Sequence, residues 1–285
     1  MTSEASVVEI SPTLYVVATP IGNLADMVPR AIEVLQTVAL IAAEDTRHSR
    51  PLLKHFDIDT PLVAYHDHSN NAALERLLGH LRDGKDLALI SDAGTPLVSD
   101  PGYRLVDLAL REGFKVVPIP GACAVIAALS VAGLPSDRFM FEGFLPAKQH
   151  ARQATLTALV RERRTMIFYE APHRLRDSLA DVLTVMGPER TVVLAREITK
   201  LFETVKRLPA AEMLEWVSAD SNQQRGECVL LIAGFGGDDG IPVAVIEILD
   251  VLRGELPLKQ AAALCAKITG IKKNQLYQYG IENPL

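Results

Sequence analysis

The chain has 285 residues, 48% of them hydrophobic and 22% charged, which is enough apolar mass for a large core and enough length for two domains. Lys and Arg total 29 against 35 Asp and Glu, so a general electrostatic attraction to nucleic acid or anionic lipid is excluded and any such contact has to be local. Three widely spaced cysteines with no CxxC pair, and a glutamate where a secretory leader has basic residues, point to a cytoplasmic protein without a zinc site.

Strand and helix patterns alternate from the start. Leu14 to Ala18 reads as a strand, and Pro29 to Gln36 as a helix with Pro29 in its first turn and Asp26 available as a cap. Val38 to Ala43 is the next strand and Thr46 to Phe56 the next helix. Beyond Pro61 to Ala64, a helix over Asn70 to Leu81 places Leu74, Leu77, Leu78 and Leu81 on one face. Leu87 to Ile90, all apolar, fits a strand covered on both faces. Pro101 to Arg111 is helical, Lys115 to Val117 a strand, and a helix over Ala122 to Val131 closes the first domain. Val116 to Ser136 contains no charge, but Pro118, Pro120 and Gly121 leave a helix about half the ~20 residues that a membrane span requires.

Gly133 to Asp137 reads as a linker, giving a first domain over residues 1–133 and a second over 134–236. In the second, strands over Phe139 to Glu142, Thr165 to Tyr169, Thr191 to Ala195, Glu203 to Arg207 and Cys228 to Ile232 alternate with helices from Lys148 to Arg163, Pro172 to Val185 and Pro209 to Val217. The two strands flanking Lys200 predict a hairpin and therefore a mixed sheet. Phe235 to Gly240 is a flexible linker by composition, and residues 241–285 form a small helical unit. The predicted fold class is α/β, with two α/β domains and a helix-turn-helix-like tail.

Three strand candidates of the first domain run into Gly/Pro turns: Thr19 to Asn23, Ser91 to Pro96 and Pro118 to Ala122. Ligands of open parallel sheets bind beyond the carboxyl ends of the strands, so these turns are expected to converge on one pocket. They lack both G-x-G-x-x-G and a Walker sequence, and supply instead Asp92, Asp100 and the amides of Ala93 to Thr95. That set suits a ligand with an amino group, a carboxylate and hydroxyls better than a chain of phosphates. His66-Asp67-His68 lacks a third ligand and reads as a polar loop, so no metal is expected. Glu44 to His48 is either the cap of the following helix or, with Arg47 and His48, a rim facing RNA.

LYVVATPIGNLAD, AAEDTRHS, LISDAGTPLVSDPG, VVPIPGACAVIAALSVAGLP, FEGFLP, FYEAPHR, LAREITKLFE and RGECVLLIAG, in this order, resemble the tetrapyrrole-methylase-type S-adenosylmethionine methyltransferases. Within that superfamily they are similar to the ribosomal RNA small subunit methyltransferase I branch. The resemblance implies S-adenosylmethionine bound in the cleft between two α/β domains and a homodimer. It also implies methylation of a ribose 2′-hydroxyl on a decoding-site cytidine of 16S rRNA in the small ribosomal subunit.

Carried over by motif, Pro20, Gly22, Asp92, Ala93, Gly94, Thr95 and Val98 would line the cofactor, with the turn Gly121, Ala122 and Cys123. Tyr169, Ala195, Gly226 and Glu227 would meet it from the second domain. Where C-methylating relatives have Gly-Gly-Asp-Pro this chain has Ala93-Gly94-Thr95-Pro96, which keeps the turn and removes a carboxylate that Asp92 would replace.

A ribose hydroxyl is a poor nucleophile, so a base is expected, and Glu170, His173 and Glu197 are the candidates. The competing reading of the first two is that Glu170 ties down a helix end while His173 and Arg174 hold phosphate; Arg196 joins Arg174 as an RNA contact. In the tail, Ala266-x3-Gly270-Ile271-x4-Leu276 has helix-turn-helix spacing, and from Leu258 to Ile281 there are four lysines and no acid. Lys272 and Lys273 fall at a helix start, where the dipole disfavours cations unless phosphate is present. The alternatives are a tetrapyrrole C-methyltransferase and a non-catalytic ribosome-binding factor.

Overall fold

The computed structural model describes residues 12–66, 71–236 and 241–285. The N-terminal ten residues, the Asp67-His68 part of the polar loop, the expected helix start at Asn70 and most of the Gly/Asp linker lie outside the described residues.

The first unit comprises β1 (Thr13–Val17), α1 (Pro29–Thr37), β2 (Leu40–Ala43), α2 (Thr46–His55), β3 (Leu62–Ala64), α3 (Asn71–Arg82), β4 (Leu87–Ile90), α4 (Tyr103–Arg111), β5 (Lys115–Ile119) and α5 (Ala124–Val131). Its sheet is parallel throughout, in the order β3-β2-β4-β1-β5. β4 shows why its sequence is apolar without alternation: Leu87 and Leu89 enter the core beneath α3 and α4, while Ala88 and Ile90 enter the core beneath α1 and α2. Asp26 does not cap α1, because Leu24–Asp26 closes its own 3-10 turn under the Asn23 side chain and α1 begins from Val28 with Pro29 in first place. Asp45 does cap α2, accepting from the Arg47 amide at 2.8 Å.

The second unit comprises β6 (Phe139–Phe144), α6 (Gln149–Ala158), β7 (Thr165–Glu170), a 3-10 turn (Pro172–Arg174) leading into α7 (Leu175–Met186), β8 (Thr191–Arg196), β9 (Thr204–Pro209), α8 (Ala210–Ala219) and β10 (Cys228–Ile232). The sheet is mixed, in the order β6-β7-β10-β8-β9, with β6 and β7 parallel and the other pairs antiparallel. α6 stops short of its expected end at Arg163. The chain tightens there into i→i−3 bonds, Val160 to Thr157 and Glu162 to Leu159, while the Val160 carbonyl is taken by Arg190 at 2.7 Å and Glu162 folds back onto Arg164.

One face of this second sheet is covered by α6, α7 and α8, and the other by α5 of the first unit. Val125, Ala128, Leu129 and Ala132 of α5 and its end, at helical spacing, pack on Ile167, Val193, Ala195, Val229 and Leu231. The helix that closes the first unit in the chain therefore belongs, by packing, to the second sheet. Among the described residues no helix is long and apolar enough to cross a membrane.

The tail is three helices, α9 (Val243–Glu255), α10 (Leu258–Thr269) and α11 (Lys273–Glu282), around a core of their own. Gly270 ends α10 in the left-handed conformation, φ 77°, and Gly280 of α11 lies so close to Leu258 that a side chain there would collide with it. The unit is tied to the second domain by the Arg163 guanidinium on the Ile241 carbonyl and by the Arg161–Asp250 ion pair.

Gly121 is a tight point of the first unit. A Cβ there would sit 2.9 Å from the Ala18 Cβ, so the turns after β1 and β5 touch through the glycine itself. Gly121→Ala is expected to lower stability by about 1–3 kcal/mol, as overpacking does, and Ala18→Gly in the same chain to restore part of it. Denaturant melts of the two single variants and the double variant measure this, and purely additive losses would show that the two residues do not compete for space.

Candidate functional site

The carboxyl ends of β1, β4 and β5 are stitched together by backbone and side-chain bonds. Thr19 and Gly94 exchange amide–carbonyl bonds of 2.9 and 3.0 Å, and the Thr95 hydroxyl donates to the Ala122 carbonyl at 3.0 Å. Parallel pairing of β2 beside β4, with Ala43 opposite Ile90, brings in a fourth loop, whose Asp45 amide donates to Asp92 Oδ1 at 3.1 Å. The β4 loop carries local strain: Leu97 and Ser99 have φ of 72° and 66°, and a Cβ on Gly102 would lie 2.7 Å from Leu89. Non-glycine residues in this region persist only where the surroundings hold them, and they gather at ligand sites. Glu197 and Thr199, with φ of 51° and 68°, form the matching strained turn of the second unit.

Between these two turns lies a cavity of about 370 Å³. Ile21, Val98 and Ile198 provide apolar wall, the Ala93–Thr95 turn provides backbone, and Tyr169, Glu227 and Val229 close it from the second sheet. Burial pushes the Tyr169 phenol well above the usual range, so it stays protonated. Glu44, Asp92 and Asp100 converge on the same cavity. Burial lifts the Asp100 carboxyl to about 6; a hydrogen bond from Ser91 opposes that shift, and Glu44 and Asp92 add to it. The cavity is thus built for a compact ligand with apolar parts and a positive charge.

Eight of the residues expected to bind cofactor line this cavity: Asp92, Ala93, Gly94, Thr95, Val98, Cys123, Tyr169 and Glu227. The other six stand behind it. Pro20 and Gly22 flank Ile21, whose side chain is the one in the wall, and Gly121 and Ala122 pack on Ala18 and Thr95. Ala195 is in register with Val229, which does the lining. Gly226, φ 78°, leaves room for the Glu197 carboxylate, which any side chain there would strike.

The catalytic candidates separate sharply. Glu170 lines the cavity but is fully engaged: it accepts from the Ala171 amide at 2.8 Å, from the Ser178 hydroxyl at 2.5 Å and from Arg174 at 3.0 Å. Its place is that of the tie at a helix start. Glu197 accepts from Lys200 at 3.0 Å and from the Glu227 amide at 2.9 Å; burial raises its carboxyl, but that amide and Lys200 outweigh burial and hold it below the usual range. His173 is exposed, one residue beyond Pro172 in the cavity wall.

Two of the arginines expected to contact RNA have partners within the protein. Arg196 is buried, its guanidinium on the Arg225 and Phe202 carbonyls and the Thr204 hydroxyl, so it braces the β8–β9 turn. Arg174 pairs with Glu170 at 3.0 Å and keeps its side chain one-fifth exposed. Arg47 and His48 are both exposed, with Arg47 paired to Asp45 at 2.7 Å, and that pairing with the capped amide holds the Asp45 carboxyl down at about 2. Lys272 and Lys273 open α11 and are exposed.

Sequence reasoning missed Ile21, Glu44, Ser99, Phe144 and Ile198 as lining residues and named Asp100 only as an acidic loop residue. A signal existed for Glu44, which directly follows an apolar strand, but only the β2–β4 pairing, with Ala43 opposite Ile90, brings it to the end of β4. Among the described residues, no group of three His, Cys, Asp or Glu side chains is arranged to hold a metal ion.

Residues 13–214 match the family of Tetrapyrrole (Corrin/Porphyrin) Methylases, and residues 239–283 match the RsmI C-terminal HTH domain. Solved structures share the fold: uroporphyrin-III-C-methyltransferase from Thermus thermophilus has a TM-score of 0.55 at 19% identity, covering 78% of this chain and 94% of its own. A diphthine synthase from Entamoeba histolytica, described as putative, has a TM-score of 0.58 at 13% identity, covering 80% and 94%. The chain belongs to the tetrapyrrole methylase family, and within it to the ribosomal RNA small subunit methyltransferase I group. Proteins of that name are 59% identical over 95% of this chain and 97% of their own in Pseudomonas aeruginosa, and 55% over 94% of each in Escherichia coli O157:H7. The relative in Vibrio cholerae is 52% identical over 99% of both.

Because the folded carboxyl of Asp100 lies above its ordinary 3.8, keeping it ionised opposes folding as pH rises through that interval. Asp100→Asn is therefore expected to stabilise the ligand-free protein at pH 7.5 by roughly 1–2 kcal/mol, after allowance for partial exposure, with no gain below pH 4. Thermal melts at the two pH values test this, and a gain equal at both would remove the carboxyl's charge from the account.

Proposed function

We propose that the protein transfers the methyl group of S-adenosylmethionine to the ribose 2′-hydroxyl of a decoding-site cytidine in 16S rRNA. On this reading it works in the cytoplasm as a homodimer on the small ribosomal subunit. The observation that carries it is one chain holding a cavity with a carboxylate-rich wall between two α/β units and, beyond them, a three-helix unit with exposed lysines at a helix start. A tetrapyrrole methylase has no use for the second feature. Relatives matched over nearly their whole length carry the small-subunit rRNA name, which supports the same substrate.

The cavity fits this cofactor. Its volume is in the range of small-ligand pockets, and Glu44, Asp92 and Asp100 face a cation without metal. When bound, S-adenosylmethionine supplies a methyl carbon already activated by its sulfonium. The chain's own work is binding and alignment: the Ala93–Thr95 turn and Asp92 hold polar groups, Asp100 complements positive charge, and Ile21, Val98 and Ile198 keep water out. The hydroxyl proton goes to His173. Glu170 positions it, by binding both the Ala171 amide and Arg174 and so fixing the turn that carries His173 just beyond Pro172 of the cavity wall.

The central measurement is labelled methyl transfer to isolated 30S particles, with the label recovered as a 2′-O-methyl nucleotide. His173→Ala should lower single-turnover rate by about 100-fold or more while calorimetry shows cofactor affinity within a few-fold. Methylation of a porphyrin precursor in place of the particle would establish the C-methylase reading, and cofactor binding without transfer to either would leave a ribosome-binding factor.

The tail has its own test. Replacing Lys272 and Lys273 by Ala should weaken particle binding and reduce its salt slope by about one per lysine, through lost counterion release. An unchanged slope would leave α11 as packing and move the RNA surface towards Arg47 and His48.

A further inference from the structure

Phe144 stands outside the packed core of the second unit, as Phe139, Leu201 and Phe202 do, but of these four it is the one that lines the cavity. It ends β6, is 55% exposed, and yet lines the cofactor cavity. It belongs to none of the hydrophobic clusters, whereas Phe141 on the same strand packs in the core shared by α5 and the second sheet.

The backbone shows that its direction is built. Phe141 and Phe144 are three positions apart, so in a regular strand they would point to opposite faces. In the structure Phe141 is opposite Ile167 and Phe144 opposite Tyr169, three steps on β6 against two on β7, with the irregularity between them. Gly143 takes the left-handed conformation there, φ 67°, and sits beside Ser99 of the strained β4 loop. The bulge turns the second ring onto the face of the first: both contact Tyr169 edge-on, with centroids at 4.9 and 5.5 Å. Buried Arg152 then holds the loop that follows, through the Pro146 and Ala147 carbonyls and a 2.6 Å bond to Asp181. An aromatic ring is thus held at the edge of the reaction cavity, supported by Tyr169 and open to solvent.

We infer that Phe144 is the stacking platform for the base of the nucleotide being methylated. This rests on the ribose-methylation reading above. A 2′-hydroxyl reaches a recessed methyl group only when its nucleotide leaves the helical stack, and a base taken out of its stack is received on an aromatic face. The exposure of Phe144 favours an occupant arriving from solvent over the adenine of the cofactor, which belongs with the enclosed apolar wall. Phe144 is therefore a substrate-positioning residue, and stacking being tolerant of base identity, it contributes to capture and orientation more than to the choice of base.

The test uses the full-length protein with Phe144→Ala and Phe144→Trp. Calorimetry with S-adenosylmethionine reports the cofactor site, and single-turnover methyl transfer over a range of 30S concentrations at saturating cofactor separates capture from chemistry. Phe144→Ala should keep cofactor affinity within about threefold and lower kcat/KM for the particle by roughly 5- to 150-fold, the loss expected for one base–aromatic stack. Phe144→Trp should stay within about threefold of the unsubstituted protein, a rescue that a purely structural role would not produce. A parallel loss of cofactor affinity in Phe144→Ala would assign the ring to adenine and overturn the inference, as would unchanged transfer. If the unsubstituted protein fails to methylate the particle, the underlying reading falls and this inference with it; if it methylates and Phe144→Ala is indifferent, only the inference falls.

Discussion

The packing of α5 on the second sheet is the contact on which the rest of the molecule depends. Buried side chains of α5 and its end meet Ile167, Val193, Ala195, Val229 and Leu231 in a single apolar cluster. Burial of a side chain of this size contributes about 1.5–3 kcal/mol, so the cluster is a substantial share of what joins the units. Its consequence is geometric. The start of α5 is the end of the β5 loop, so seating the helix on β7, β8 and β10 brings Cys123 and Ala124 into the wall that Tyr169 and Val229 complete. The two sheets face one cavity because one helix is shared between them.

A second contact closes the other side. Lys200, in the turn between β8 and β9, binds Glu197 and Glu227 at 3.0 and 2.8 Å, and its aliphatic stem lies where any side chain on Gly22 would go. Gly22 and Gly226 are thus glycines for reasons of neighbouring chain. One makes room for a lysine from the other unit and the other for the carboxylate that receives it. The strained conformations of Glu197 and Thr199 are held by these bonds and by that of the Thr199 amide to Glu203.

Charge is divided by place. The chain carries a net charge of −6, and part of that excess is gathered as Glu44, Asp92 and Asp100 around one cavity. Opposite charge is concentrated in the tail, where the stretch from Leu258 to Ile281 has lysines and no acid. Charges further apart than about a Debye length, 8–10 Å at physiological salt, are largely screened from one another, so the two regions keep fields of opposite sign.

The local elements were legible in the residues, because periodicity and turn chemistry act over short range. The apolar run Leu87 to Ile90 had to be a strand covered on both faces, Pro29 a helix start, Gly270 a left-handed stop, and the three Gly/Pro turns the ends of strands beside one another. Motifs also marked loops that surround the cavity, eight of the residues they named being in its wall. Long-range pairing and burial were not legible. Nothing local says that β2 lies against β4 and delivers Glu44, that α5 serves the second sheet, or that a bulge turns Phe144 onto Tyr169. Nor does an arginine in a motif declare its partners: Arg196 became a buried brace because the chain folded two carbonyls and a threonine hydroxyl around it. Local sequence determined the elements and the loops that bear the site, because those follow from neighbouring residues. Tertiary structure decided which side chains reach the ligand, because that depends on groups distant in sequence that share one volume and must satisfy one another's charges and hydrogen bonds.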